Sequence, residues 1–145
     1  MENLLKMLRL HEGVKHTVYL DSVGIETIGV GRNIKERGLS DDEIDYLLVN
    51  DVNICKAEAK EFDWYEDLNT VRREAILNLL FNLGRSRFGQ FKMAIAGLQR
   101  QDYDEAADQF WDSRWRTQVG KRAEDICHMI RTGTYPDGFE QESES

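Results

Sequence analysis

The sequence has 145 residues, is 41% hydrophobic and 32% charged, and carries a net charge of −8. That length supports one compact domain with a core, and the balance is that of a globular chain. It contains no run of 18 apolar residues, so there is no candidate membrane span, and the amphipathic start MENLLKMLRLHEG lacks a secretory signal pattern.

Leu4, Leu5, Leu8 and the His11/Glu12 pair fall at helical spacing, so residues 2–12 read as a helix ended by Gly13. Residues 16–21 (HTVYLD) and 26–33 (ETIGVGRN) are β-rich and flank a turn around Ser22 to Gly24, which predicts a hairpin. Ser40 and Glu43 form an S-x-x-E capping box. Ile44, Leu47, Leu48 and Asp51/Val52 continue at helical period, predicting a long helix over about 41–60. DWYEDLN (63–69) breaks the pattern. Residues 70–83 are apolar on nearly all sides and end at Gly84, the mark of a buried central helix. Shorter helices are predicted at 89–99, 103–113 and 121–131, the last closed by Thr132-Gly133. Cys55 and Cys127 show no metal or redox spacing and read as free core thiols of a reducing compartment.

These elements predict an α+β, mainly helical fold. A small N-terminal lobe with a β-hairpin or sheet (about 13–40) leads into a connecting helix (about 41–60). A larger helical lobe follows (about 70–136), with helix 2–12 packed on it and a cleft between the lobes. The acidity is concentrated. Residues 41–67 hold ten acids and two bases, whereas 68–136 hold eight acids and eleven bases, so the helical lobe can still face a polyanion. The tail 137–145 has four acids, no base and no apolar residue beyond Phe139, and is predicted to be disordered.

One stretch, HEGVKHTVYLD (11–21), admits two chemistries. A zinc hydrolase places histidines at i and i+4 of one helix. Here His11 and His16 are five apart, which turns the second imidazole roughly 140° from the first. Gly13 intervenes, and His128 is remote in sequence. Solvated histidines at a helix end are the better reading, with no metal. The second chemistry rests on Glu12 and Asp21. Glu12 is expected on the last turn of a helix, near the negative end of its dipole and beside apolar neighbours, and both effects oppose ionisation. Asp21 is expected beside an open turn and free to stay ionised. A carboxyl pair in opposed environments is the acid and base of a glycosidase. By spacing alone, a helix-end glutamate and a turn aspartate are the better reading of the pair. GVGR lacks the Lys-Ser/Thr of a phosphate loop and opens no helix.

The wider pattern HEGVKHTVYLDSVGIETIGVGRN resembles the N-terminal motif of phage-type lysozymes, the endolysins of glycoside hydrolase family 24: E-G, a strand to Y-x-D, a turn, then T-I-G-x-G. AILNLLFNLG resembles the family's central helix. DYDEAADQF, SRWRTQ and KRAEDICHMIRTGTY resemble its C-terminal lobe through the R-T-G-T signature, so the resemblance covers nearly all of 1–136. It implies Glu12 as proton donor to the glycosidic oxygen, Asp21 as second carboxylate, and Thr27 as its partner in holding the attacking water. It further implies sugar contacts at Asn33, Phe81, Ala94 and Gln109, and an Arg122 that steadies the catalytic glutamate. By pattern alone, Phe81 reads as a core residue, and Trp64, Trp111 and Trp115 read as aromatic core.

The substrate implied is bacterial peptidoglycan, cut between N-acetylmuramic acid and N-acetylglucosamine to lyse the host. No cofactor, nucleic acid or stable membrane association is implied, and the enzyme is expected to be a monomer. It would wait in the host cytoplasm for a holin-type pore and then act on the wall from the periplasm. A glycan-binding or structural relative without catalysis, and a chitin-directed glycosidase, are the alternatives. The T-even member of the family has histidine, leucine, serine and asparagine where this chain has Arg32, Asn33, Ala94 and Gln109. These departures concern subsite preference. That member's histidine pairs with an aspartate on the long helix, so an Arg32–Asp51 pair is expected here. One helix before Ser40 is also absent from this shorter small lobe, and many such lysozymes are more basic.

Overall fold

A computed structural model describes residues 1–139. Part of the tail expected to be disordered, 140–145, lies outside the described residues. The chain divides into two compact units, Met1–Leu48 and a second that begins at Val49.

In the first unit, α1 (Glu2–Glu12) ends where Gly13 turns the chain, and the Gly13 amide donates to the Arg9 carbonyl at 2.9 Å. Three antiparallel strands follow in the order β1 (Lys15–Leu20), β2 (Glu26–Gly29), β3 (Arg32–Asn33). Tyr19 pairs with Thr27, Thr27 with Asn33, and Ile28 with Arg32. The single strand expected over 26–33 is in fact two, because Gly29-Val30-Gly31 forms a turn between them. Gly29 and Gly31 both take positive φ, +69° and +67°. The first turn lies as expected: the Asp21 amide donates to the Ile25 carbonyl at 2.9 Å, and the Gly24 amide to the Asp21 carbonyl at 3.0 Å. The capping box also forms. The Ser40 amide donates to Glu43 Oε1 at 2.8 Å, and the Glu43 amide to Ser40 Oγ at 3.2 Å. It opens α2 (Asp41–Ala59), within which the first unit ends.

The second unit is helical. After a short 3-10 turn (Tyr65–Asp67) come α3 (Thr70–Gly89), α4 (Lys92–Gln99), α5 (Tyr103–Trp111), α6 (Arg114–Val119) and α7 (Lys121–Thr132). The regular run of α3 breaks at Gly84, with φ 80° and ψ 162°. The sequence reading did not foresee α6, because six residues are too few to show a period of 3.6. Val71, Ala75, Ile76, Leu79, Leu80 and Leu83 of α3 are buried. They share one core with Ala106, Ala107 and Phe110 of α5 and with Ile126 and Ile130 of α7. Aromatic rings extend it: Phe88 meets Phe62 edge-on at 5.5 Å and stacks on Phe110 at 6.2 Å, and Phe110 meets Trp115 at 6.3 Å. Trp64 and Trp115 are core residues.

The start of α3 finishes the end of α7. Asn69 caps α3 by accepting from the Arg72 amide at 2.9 Å, and its Nδ2 donates to the Gly133 carbonyl at 3.0 Å. Arg72 Nε donates to the Ile130 carbonyl at 2.7 Å and Nη2 to the Arg131 carbonyl at 3.1 Å, while the guanidinium lies 3.9 Å over the Tyr103 ring. Carbonyls in the last turn of a helix lack intrahelical partners, and a cation there also complements the helix dipole. Arg72→Ala is therefore expected to cost about 2 kcal/mol of stability, the size of a charge-assisted hydrogen bond. Arg72→Lys should recover little, since one ammonium cannot reproduce the planar fork. Urea melts of the three proteins check this, and an alanine variant as stable as the parent would refute it.

Candidate active site

The first unit brings Glu12, Asp21 and Thr27 onto one scaffold. Glu12 is the last residue of α1, and its carboxyl group lies against the β2–β3 turn. The contact is close: a Cβ built on Gly31 would stand 2.6 Å from Glu12 Oε2, 2.9 Å from Cδ and 3.2 Å from Cγ. The helix thus delivers its terminal carboxyl to the sheet at a point where the sheet has no side chain.

Asp21 follows β1 directly. Its Oδ1 accepts from the amides of Val23 and Ile25, each at 2.9 Å. This Asx-type turn is why an aspartate suits the position. The second oxygen, Oδ2, makes no hydrogen bond to the described residues. Thr27 is buried, with 3% of its surface exposed, and its Oγ1 donates to the Ile25 carbonyl at 2.8 Å. A hydroxyl that donates in this way keeps its lone pairs for an incoming donor such as water. Residues two apart on a strand share a face, and so do cross-strand neighbours. Thr27 and its cross-strand partner Asn33 therefore share a face, and Asp21 stands in the turn that joins β1 to β2.

Asn33 is engaged locally: its Oδ1 accepts from the Glu36 amide at 3.1 Å, and its Nδ2 is 3.5 Å from Glu36 Oε2. The partner of Arg32 differs from expectation. Its Nη1 donates to Glu43 Oε1 at 2.6 Å, stands 2.6 Å from Oε2, and donates to the Gly38 carbonyl at 3.1 Å. Glu43, not Asp51, takes the charge. Glu43 lies in the first turn of α2, where the helix N-terminus favours an anion, and the capping box already fixes its carboxylate. Asp51 lies eight residues further along α2, where its charge acts on Cys55 and helps raise that thiol's pKa, after burial and the charge of Glu58.

In the second unit, Phe81 is 45% exposed although its neighbours Leu79, Leu80 and Leu83 are buried. Gln109 donates through Nε2 to Glu105 Oε1 at 2.8 Å. Ala94, expected at a sugar contact, is 1% exposed and belongs to the core, so its methyl group offers no surface to a glycan. Arg122 Nε donates to Asn78 Oδ1 at 2.8 Å, and Nη2 to the Asn78 carbonyl at 3.4 Å. The two histidines of the zinc reading are divided by the helix end, His11 lying in α1 and His16 in β1. Sequence reasoning missed three residues of this description: Gly31, Glu43 as the partner of Arg32, and Asn78 as the partner of Arg122. The doubled glycine of GVG was the available signal for the first.

The hydrogen bonds from the Ser40 amide and from Arg32 hold the Glu43 carboxyl at about 2, well below the usual carboxylate range. A depressed folded pKa gives stability that is present above the unfolded value, about 4.3, and is lost as pH falls through the folded one. Glu43→Gln keeps an acceptor for the Ser40 amide and removes the charge. Its melting temperature should lie below the parent's by a constant amount above about pH 5, and the gap should close between about pH 4.3 and 2. Thermal melts from pH 2 to 8 test this. A gap undiminished at pH 2 would show that the charge is not its source.

The phage lysozyme family profile matches residues 9–128 of the chain. A probable T4-type lysozyme 2 of Dictyostelium discoideum is 26% identical over 164 residues, covering 92% of this chain and 96% of that protein. The endolysin of Salmonella phage P22 is 30% identical over 117 residues, covering 74% and 78%. The pre-baseplate central spike protein Gp5 of Enterobacteria phage T4 is 24% identical over 160 residues, covering 90% of this chain and 28% of the spike protein.

Proposed function

The chain belongs to the phage lysozyme family, and on that footing we propose that it hydrolyses the β-1,4 bond between N-acetylmuramic acid and N-acetylglucosamine in bacterial peptidoglycan. One observation supports the residue assignment most: the helix-end carboxyl of Glu12 meets the same three-stranded sheet that bears Asp21 and Thr27. Glu12 donates its proton to the glycosidic oxygen, so the leaving sugar departs as an alcohol. Positive charge develops at the anomeric carbon. A water molecule donates one hydrogen bond to the free Oδ2 of Asp21 and the other to Thr27 Oγ1, which aims its lone pair at that carbon; as the new C–O bond forms, Asp21 takes the water's proton. The Asp21 carboxylate also stabilises the developing charge.

Phe81 presents a half-exposed ring on which the apolar face of a sugar can stack, and we assign it with Gln109 to glycan contact in the second unit. Asn33 serves the same purpose in the first, through its Nδ2. The biological outcome of this reading is lysis of the bacterial host once the enzyme passes a holin-type pore. No helix among the described residues is long and apolar enough to cross a membrane.

The test is mass spectrometry of soluble peptidoglycan fragments after digestion. Glu12→Gln should fold normally and lose at least roughly 10²-fold in kcat, the value of a general acid. A folded variant with substantial turnover would remove Glu12 from the donor role. Products cut on the other side of muramic acid, or equal turnover of chitin oligomers, would change the assigned bond. EDTA should leave hydrolysis of these purified fragments unchanged, and a loss restored by zinc would revive the metal reading.

Asp21 separates structure from chemistry. Asp21→Asn retains a carbonyl oxygen for the Val23 and Ile25 amides but loses the charge. It should therefore keep the parent's stability to within about 0.5 kcal/mol, as surface substitutions do, and lose most activity. Asp21→Ala should lose both. Comparable activity in the asparagine variant would mean that Asp21 serves only the turn.

A further inference from the structure

We propose that Gly31 is a positioning residue for Glu12: its lack of a side chain sets where the catalytic carboxyl rests on the sheet. The proposal rests on the reading of Glu12 as the acid. Oε2, Cδ and Cγ of Glu12 all lie within 3.2 Å of where a Gly31 Cβ would be. Such an atom is too close to coexist with them, so either the backbone or the glutamate must yield.

The backbone is the stiffer of the two. Ile28 pairs with Arg32 across the turn, and the Arg32 guanidinium is tied to Glu43 at 2.6 Å and to the Gly38 carbonyl at 3.1 Å. The turn that holds Gly31 is thus anchored one residue downstream. Glu12 is a flexible side chain at a helix end, so a methyl group at position 31 displaces the carboxyl group. For the fold that is cheap. For catalysis it is costly, because a misplacement of about 1 Å at a reacting group can lower the rate by about 10²-fold.

Gly29 supplies the control. It has nearly the same φ, +69° against +67°, but nothing lies within 4 Å of its would-be Cβ. Gly29→Ala therefore reports the backbone strain alone, and Gly31→Ala reports the strain plus the collision. Melting temperature, kcat and KM on soluble peptidoglycan fragments are measured for both. The two melting temperatures should fall by similar amounts. Gly31→Ala should lose about 10²-fold in kcat with little change in KM, while Gly29→Ala stays within about threefold of the parent.

The collision is then relieved from the other side. Glu12→Asp withdraws the carboxyl by one methylene, so adding Gly31→Ala to Glu12→Asp should cost less than about threefold, a strong departure from additivity. If Gly31→Ala does not fold, Gly31→Asn replaces it, since asparagine tolerates positive φ and brings the same Cβ. Equal kcat in the two alanine variants, or additive losses in the double variant, would overturn the role of Gly31 and leave Glu12 untouched. Full activity in Glu12→Gln would instead overturn the acid itself, whatever the glycine variants do.

Discussion

One face of helix α3 is apolar, and the second unit is arranged to cover it. Val71, Ala75, Ile76, Leu79, Leu80 and Leu83 are buried there. Four of its polar residues tie the helix to the rest of the unit. Asn78 accepts from Arg122 at 2.8 Å, and Asn82 accepts from the Trp115 indole at 2.9 Å. Glu74 accepts from the Tyr135 hydroxyl at 2.5 Å, and Arg72 reaches the end of α7. Apolar burial supplies most of the drive to fold but is indifferent to rotation and register. The four polar contacts are not indifferent, because a hydrogen bond needs its partners at a set distance and angle. They fix how α6, α7 and the segment after it turn about α3.

The first unit is organised differently, by turn chemistry. One aspartate oxygen organises the β1–β2 turn, and one glutamate organises the approach to α2. Each carboxylate satisfies backbone amides and keeps capacity for a further task. Asp21 leaves Oδ2 open, and Glu43 pairs with Arg32. A hairpin of short strands gains little from its own ladder, so fixed turns matter more here than in a large sheet.

Much of this was legible in the sequence, because the signals were local and strong. Gly13 marked the end of α1, Ser40 and Glu43 marked the start of α2, and Gly84 marked the break in α3. The misses share a cause: two readings fitted the same residues. Ile28, Val30 and Arg32 alternate as a strand would, which hid the Gly29-Val30-Gly31 turn. The glycines decide that case only if their positive φ is allowed for. The Arg32–Asp51 expectation rests on the family resemblance alone, whereas an arginine finds a partner in Glu43, on the first turn of α2. Ala94 is a small residue on a short helix, and no pattern separates a core alanine from a surface one. Phe81 is apolar yet stands on the row of Glu74, Asn78 and Arg85, so its residue type alone hid its exposure.

Gly31 and Arg32 join these threads. Gly31, in the turn, meets the carboxyl at the end of α1; Arg32, the first residue of β3, meets the carboxylate at the start of α2. The two contacts have opposite physics. The first exists because a side chain is missing, and the second because a long charged one is present. The guanidinium alone would be unwelcome beside the N-terminus of α2, where the helix dipole is positive. The charge of Glu43 makes the position favourable, and the capping box holds that charge in place. The cap on α2 therefore supports the ion pair, the ion pair anchors the turn, and the anchored turn gives Glu12 a fixed surface to rest on. Arg32 thus uses a carboxylate on the first turn of α2, and the helix cap becomes part of the scaffold on which the Glu12 carboxyl rests.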